Sequence, residues 1–373
     1  MTNPTNRIGV YVHFPWCVRK CPYCDFNSHP LRGDLQEAEY TQALLLDLRA
    51  QLAGAGGAII DTVFFGGGTP SLFGAETFAT LLEAFQPQLA DDAEITMEAN
   101  PGTLEHKPLE AYRQAGINRL SLGAQSFDPG QLAKLGRIHS NNDIITSFVS
   151  ARQAGFDNIN LDLMYALPQQ TVAAAIDDLQ RAIDLGPEHL SWYQLTLEPK
   201  TEFYARPPVL PDEDRVSDME AAGHRLLADT GYRRYEVSAY ARAGAIARHN
   251  VNYWSFGDYL GIGAGAHGKF SRDSHIVRSE KPKQPRLYLA DPLAVTTRKI
   301  ASEALREEFL MNALRLVDGV NVDEFVARTG MAASALQPDW QRMINLGLMC
   351  EDRLATTPHG LRHLDSVVSA FLN

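Results

Sequence analysis

Along the first two thirds of the chain, short β-branched and aromatic runs alternate with longer stretches whose apolar residues recur every three or four positions. The runs IGVYVHF (8–14), IIDTVFF (59–65), EITMEA (94–99), NRLSLGA (118–124), NINLDLMYAL (158–167) and HLSWYQLTL (189–197) have the length and make-up of strands. Between them, EAEYTQALLLDLRAQLA (37–53), AETFATLLEAFQPQL (75–89), LEAYRQAG (109–116), NDIITSFVSARQAG (142–155) and TVAAAIDDLQRAIDLG (171–186) carry the helical period, and a further helix is predicted over 212–230. Six strand–helix units in succession predict an α/β fold with a parallel sheet and helices outside it, because each parallel crossover needs a connection of that length. The unit length suits a partial (β/α)6 barrel of TIM type. An open doubly wound sheet is the alternative, and the pattern alone does not fix the closure.

The remainder reads differently. RHNVNYW (248–254) is followed by the glycine-rich GIGAGAHG (261–268), where His267 is a possible site residue. KFSRDSHIVRSEKPKQPR (269–286) then carries six Lys/Arg against two Asp/Glu and predicts a solvated hairpin. ASEALREEFLMNALRL (301–316), NVDEFVARTG (321–330) and PDWQRMINLGLMC (338–350) predict three helices. EDRLATTPHG suggests a small hairpin before a last helix at 360–372. The expected organisation is a core barrel over 1–235, an extension over 236–300 and a mostly helical, winged-helix-like domain over 301–373. That last unit holds ten Asp/Glu and six Lys/Arg, with no basic recognition face, so it reads as a packing or partner-docking module.

Composition narrows the function classes. The 373 residues are 45% hydrophobic and 21% charged, and the net charge of −11 argues against nucleic acid or an anionic membrane surface as partner. No run of about 18 apolar residues offers a membrane span, and no leader is expected. Four cysteines do not make a disulfide framework at this length, and a cytoplasmic protein is expected.

Three of the four cysteines lie in HFPWCVRKCPYCDFNSH, at Cys17, Cys21 and Cys24, in the spacing C-x3-C-x2-C. A structural zinc site with His29 as fourth ligand is one reading. The other is an iron–sulfur cube held by three thiolates, with one iron left open. Cys350 reads as a small buried hydrophobe. A barrel demands that chemistry collect at the C-terminal ends of its strands. The cysteine loop follows the first strand, GGGTP (66–70) ends the second, Glu98 ends the third, Gln125 ends the fourth with Arg137 twelve residues on, and Asp162 lies in the fifth.

These motifs in this order, CVRKCPYC after VYVHFPW, then GGGTPS, ITMEANPG, LSLGAQSF and LDLMYALP, resemble the radical S-adenosylmethionine superfamily. The nearest branch is that of the oxygen-independent coproporphyrinogen III oxidases and the heme chaperones related to them. The resemblance implies a [4Fe-4S] cluster on Cys17, Cys21 and Cys24. Its open iron takes the amino and carboxylate groups of S-adenosyl-L-methionine, and an electron from the cluster cleaves the sulfonium to a 5′-deoxyadenosyl radical. It implies Tyr11 and Tyr23 beside the cofactor, and Gly67, Gly68 and Thr69 at its ammonium, where glycine permits close backbone approach. Glu98 is implied near the positive part, Arg137 at the carboxylate through its forked donors, and Gln125 and Asp162 at the ribose.

Phe26 departs from the oxidase motif, which continues C-x3-C-x2-C-x-C, and the chain lacks the longer N-terminal segment of those enzymes. Both features favour the heme-chaperone side, so binding of heme and delivery to recipient heme proteins such as respiratory enzymes is the implied function, with a homodimer left open. A coproporphyrinogen oxidase or another tetrapyrrole-modifying enzyme is the alternative, and a zinc-stabilised binding protein the third. The pattern H-N-x-x-Y-W in RHNVNYW is shared by the chaperones. It makes His249 a candidate axial ligand and Tyr253 a stacking surface for heme.

Overall fold

The computed structural model describes residues 6–104, 108–272 and 275–372. All six predicted strands form: β1 Arg7–Phe14, β2 Ile59–Gly67, β3 Leu89–Ala99, β4 Arg119–Gln125, β5 Ile159–Tyr165 and β6 His189–Gln194. They lie side by side in chain order, all parallel. The helices between them match the 3.6-residue pattern: α1 Glu37–Gly54, α2 Ala75–Phe85, α3 Leu109–Gln114, α4 Asn141–Gln153, α5 Val172–Leu185 and α6 Glu213–Asp229. Local chemistry sets their ends. Ser140 and Asp143 form a capping box at α4. Thr171 accepts the N–H of Ala174 at the start of α5, and Gly186 closes that helix with φ +73°.

Beyond β6 the sheet continues through β7 Arg233–Glu236 and β8 Ala239–Ala241, both antiparallel to their neighbours. On the other flank, after α7 Arg248–Trp254, a seventh parallel strand, β9 Tyr259–Ile262, pairs with β1 from Gly9–Tyr259 to Val12–Ile262. The start of GIGAGAHG, whose glycines allow either close backbone approach or a tight bend, is strand. Antiparallel strands β10 His267–Arg272, β11 His275–Glu280 and β12 Thr296–Lys299 complete a twelve-strand sheet ordered β12-β11-β10-β9-β1-β2-β3-β4-β5-β6-β8-β7. The barrel is partial, since β12 and β7 remain edges among the described residues.

The period of two along each strand sorts its side chains. Val10, Val12 and Phe14 are fully buried on one face, and Phe14 packs its ring on Phe73 (4.7 Å), Phe78 (5.4 Å) and Tyr40 of α1 (6.3 Å). Burying such a ring contributes about 1.5–3 kcal/mol. The opposite parity turns polar groups inward: Tyr11 and His13, Thr62, Glu94 and Glu98, Arg119 and Ser121, Asn160 and Asp162, His189 and Ser191. The inward layer is where chemistry can be placed.

The basic hairpin differs from its prediction. β10 and β11 belong to the sheet, and two of its cations are buried in ion pairs, Lys269 with Asp258 (2.8 Å) and Lys281 with Asp47 of α1. Residues 273–274 lie outside the described residues. The C-terminal part has a core of its own around Phe309, Leu310, Phe325, Leu336 and Val367, joined by Phe256, Ile276 and Ile300. Helices α8 Ser302–Ala313 and α9 Val322–Thr329 match expectation. The third, α10 Asp339–Asn345, stops early, ahead of Gly347 at φ +71°. The predicted hairpin reduces to single bridges, Val320–Leu354 and Met349–Thr356, and the last helix splits into Pro358–Leu361 and Leu364–Ser369. Among the described residues no helix is long and apolar enough to cross a membrane.

Candidate functional site

Where β1 ends, Trp16–Cys17 pairs with His29–Pro30, so the loop between them closes on itself. Cys17, Cys21 and Cys24 are free thiols on this loop, each half-buried. The Cys24 N–H donates to the carbonyl of Cys21 (3.1 Å), and Lys20 Nζ donates to the carbonyls of Phe26 and Ser28 (3.0 and 3.3 Å). Asn27 ties the loop outward through Nδ2, which donates to the carbonyls of Ala264 and Lys283, both at 3.0 Å. No Cβ fits at Gly265, because it would lie 2.1 Å from that Nδ2. His29 turns away, with Nε2 3.3 Å from the Lys283 carbonyl.

Under the loop lies a cavity of about 460 Å³ at the C-terminal mouth of the parallel strands. It brings together Cys17, Cys21, Cys24, Tyr23, Gly67, Gly68, Thr69, Glu98, Gln125, Arg137 and Asp162, residues from five strand ends and spread over 146 positions of sequence. Phe26 is on its rim, 58% exposed. Tyr11 lies one layer below the lining. Its hydroxyl donates to Nδ1 of His13 (2.9 Å), and His13 Nε2–H donates to the Asn27 carbonyl (2.8 Å). A carbonyl only accepts, so this pair of bonds fixes the tautomer, and burial lowers the His13 pKa to about 4, which keeps the ring neutral. The missing Cβ atoms of the glycine turn are used by the chain itself: at Gly67 (φ +113°) one would lie 2.4 Å from the His13 ring, and at Gly68 2.5 Å from the Trp16 carbonyl.

The lining is electrostatically unbalanced. Burial pushes the Glu98 carboxyl up to about 8, with Asp162 adding to the rise and the Gly67 N–H (2.9 Å) opposing it. Asp162 is raised by burial as well, against hydrogen bonds from Asn160 (2.8 Å) and Ser121 (3.1 Å). Arg137 directs Nη1 to Cys21 Sγ (3.6 Å) and Nη2 to the Gly123 carbonyl (2.8 Å), while its buried Nε has no partner. Burial raises the thiols of Cys17 and Cys24, so taking up iron there releases protons. Among the described residues no three His, Cys, Asp or Glu side chains close around one metal ion. A cube does not ask for that, since its thiolates stand at separate corners. Three free thiols, an unanswered guanidinium donor and two buried carboxyls fit an iron–sulfur cube with a cationic, carboxylate-bearing ligand beside it.

The two heme candidates are elsewhere. His249 is buried at 1% exposure, and both ring nitrogens are engaged, Nδ1 with Thr62 Oγ1 (2.7 Å) and Nε2 with the Tyr253 hydroxyl (2.8 Å). Burial lowers its pKa to about 3. Neither residue lines the mouth cavity; Tyr253 instead borders a separate cleft with Trp254, Tyr259 and Arg278. His267 is exposed at the start of β10. Cys350 is half-buried in the C-terminal part, its thiol 3.9 Å from the Thr356 carbonyl.

Sequence reading missed His13, Asn27 and Tyr193, whose hydroxyl donates to Gln125 Oε1 (2.7 Å). For His13 and Tyr193 a signal existed, since each falls on the inward parity of its strand. Asn27 had none, because the partners of its side chain lie more than 230 residues away.

A partial parallel barrel whose first loop carries three cysteines over such a mouth defines a radical S-adenosylmethionine protein. Residues 11–182 match the family model described as the Radical SAM superfamily, and residues 300–363 match the HemN C-terminal domain. Over 370 residues the chain is 45% identical to the Escherichia coli (strain K12) protein named heme chaperone HemW, covering 98% of each. It is 35% identical to the Bacillus subtilis (strain 168) protein of the same name, covering 88% of this chain and 89% of that one. A mouse protein, radical S-adenosyl methionine domain-containing protein 1, mitochondrial, is 42% identical over 272 residues, 71% of this chain and 61% of its own. Escherichia coli coproporphyrinogen III oxidase (HemN) shares the fold, with a TM-score of 0.82 and 21% identity over 99% of this chain and 91% of that one. The chain belongs to the radical SAM superfamily and, within it, to the family of the HemW proteins.

Proposed function

We propose that this chain binds heme and delivers it to recipient heme proteins, from a scaffold that also holds a [4Fe-4S] cluster and S-adenosylmethionine. The observation that carries the reading is near-complete coverage at 45% identity with a protein named as a heme chaperone. Phe26 supports it further: an apolar, exposed ring occupies the rim position where the oxidase motif has a thiol. Cys17, Cys21 and Cys24 hold the cluster, which with S-adenosylmethionine supplies one-electron chemistry at the mouth. Arg137 takes the cofactor carboxylate through its free Nε. Glu98 and the Gly67–Thr69 turn face the ammonium, and Asp162 and Gln125 hold the ribose beside Tyr23, with Tyr11 behind. Residues 1–235, 236–300 and 301–373 act as barrel, extension and C-terminal unit. A reducing cytoplasm suits the free thiols.

Heme ligation by His249 requires its ring to leave Thr62 or Tyr253, since a ligating nitrogen must present a free lone pair. Neutral imidazole, the form burial enforces, is the ligating form. The test offers heme and coproporphyrinogen side by side to the anaerobically reconstituted chain. A Soret band that transfers to an apo-heme protein, with no protoporphyrinogen formed, is the expected result. Decarboxylation without heme transfer would move the assignment to the oxidase reading.

A further inference from the structure

His249 and Tyr253 lie outside the cofactor cavity but against its inner wall. Phe64 of β2 stacks on the His249 ring (centroids 5.2 Å, 24°) and on the Tyr11 ring (6.1 Å, 23°). The same Phe64 ring presses on the glycine turn, where a Cβ at Gly66 would lie 2.7 Å from Phe64 Cε1 and 3.1 Å from Glu98 Oε2. Glu98 in turn accepts the Gly67 N–H. On the far side His249 is held on every edge. Thr62 and Tyr253 take its two nitrogens, and Gly9 leaves just enough room, since a Cβ there would lie 3.2 Å from His249 Cε1. The Glu94 carboxylate accepts the N–H groups of both Arg248 and His249 at 3.0 Å, which fixes the start of α7. Tyr253 packs edge-on to His249 and Tyr259 (4.7 and 4.4 Å).

We infer that His249 and Tyr253 are positioning residues of the S-adenosylmethionine pocket: they form a buried floor that holds Phe64, and through it the Gly66–Gly68 turn and Glu98, in place. Supporting groups of this kind matter because a binding constellation tolerates only about 0.5 Å of displacement. The inference rests on the cofactor part of the proposed function and is independent of its heme part.

The test measures S-adenosylmethionine affinity by calorimetry on the full chain with its cluster reconstituted, with iron content, the cofactor-induced change in the reduced cluster's EPR signal and a heme titration alongside. His249→Ala and Phe64→Ala should each weaken S-adenosylmethionine about tenfold or more and blunt the EPR change, at unchanged iron content. His249→Phe, which keeps a ring stacked on Phe64, should recover most of that affinity. Heme ligation would treat His249→Ala and His249→Phe alike, so the two variants separate floor from ligand. Cofactor affinity equal to wild type in His249→Ala overturns the inference, and if that variant does not fold, unchanged affinity in Phe64→Ala does so. Wild-type protein that binds S-adenosylmethionine but no heme would instead sink the heme reading and leave the floor standing.

Discussion

At Glu98, burial holds the carboxyl at about 8, so at neutral pH the folded chain keeps a proton that the unfolded chain has released. Folding therefore binds a proton across the interval between the ordinary carboxylate value of 4.5 and about 8. Its contribution to stability is fully present below that ordinary value and is lost as pH rises through the folded one. Glu98→Gln removes the dependence. Thermal melts of the cluster-free protein should show the variant matching wild type near pH 4.5 and exceeding it at pH 8.5; identical slopes would mean that Glu98 is ionised in the fold. This behaviour was not visible in ITMEANPG, where Glu98 read as one strand-end carboxylate. Its neighbour Asp162 lies 64 positions on, and its depth comes from the closing of the sheet. The three cysteines were legible as a metal site because their spacing alone nominates one, whereas Arg137 was singled out through the family resemblance. His249 was legible as a special residue, but its inward placement was not, since Glu94 and Thr62 fix it from distant strands.

Among the elements, the cysteine loop is tied to the extension by two side chains, Asn27 and, more weakly, His29. Asn27 joins it to the 263–266 turn and to Lys283, and its carbonyl receives His13. Asn27→Ala should leave the melting temperature of the cluster-free chain within about 4 °C, the shift expected for about 1 kcal/mol or less. It should nevertheless shorten several-fold the time a chelator needs to strip iron from the reconstituted protein. An unchanged stripping rate would show that the closing pair at Trp16–Cys17 suffices. The six strands and their helices were readable because each buries a continuous apolar face against the other. The seventh strand was not, for it is only four residues long and contains Gly261, where a Cβ would lie 2.0 Å from the His267 carbonyl. Close approach to β10 demands that glycine, and the sequence left close approach and a bend as equal readings of it. The hairpin's charges misled for a related reason: Lys269 and Lys281 are cations with buried partners, Asp258 and Asp47, that only the assembled sheet brings near.

Over the whole molecule, those two ion pairs lie within and beneath the extension, and Lys281–Asp47 joins it to the barrel's first helix. Asp47 is fully buried and also accepts from Tyr288 (3.0 Å) and the Gly263 N–H (3.2 Å). Lys281→Met should therefore cost about 3–5 kcal/mol, since it strands a carboxylate in the interior, read as a lower urea midpoint at pH 7. A loss under about 0.5 kcal/mol would place the pair with surface bridges in energetic weight. The division of labour that results has a consequence for the order in which ligands arrive. His249 has two nitrogens and both are spent on the floor beneath the cofactor. An iron that captured Nε2 would release the Tyr253 hydroxyl and slacken Phe64, so heme on that nitrogen and S-adenosylmethionine at the mouth would lower each other's affinity by one and the same factor. Cargo and cofactor would then take turns on a shared hinge, with the chain loaded in one state and poised for the other.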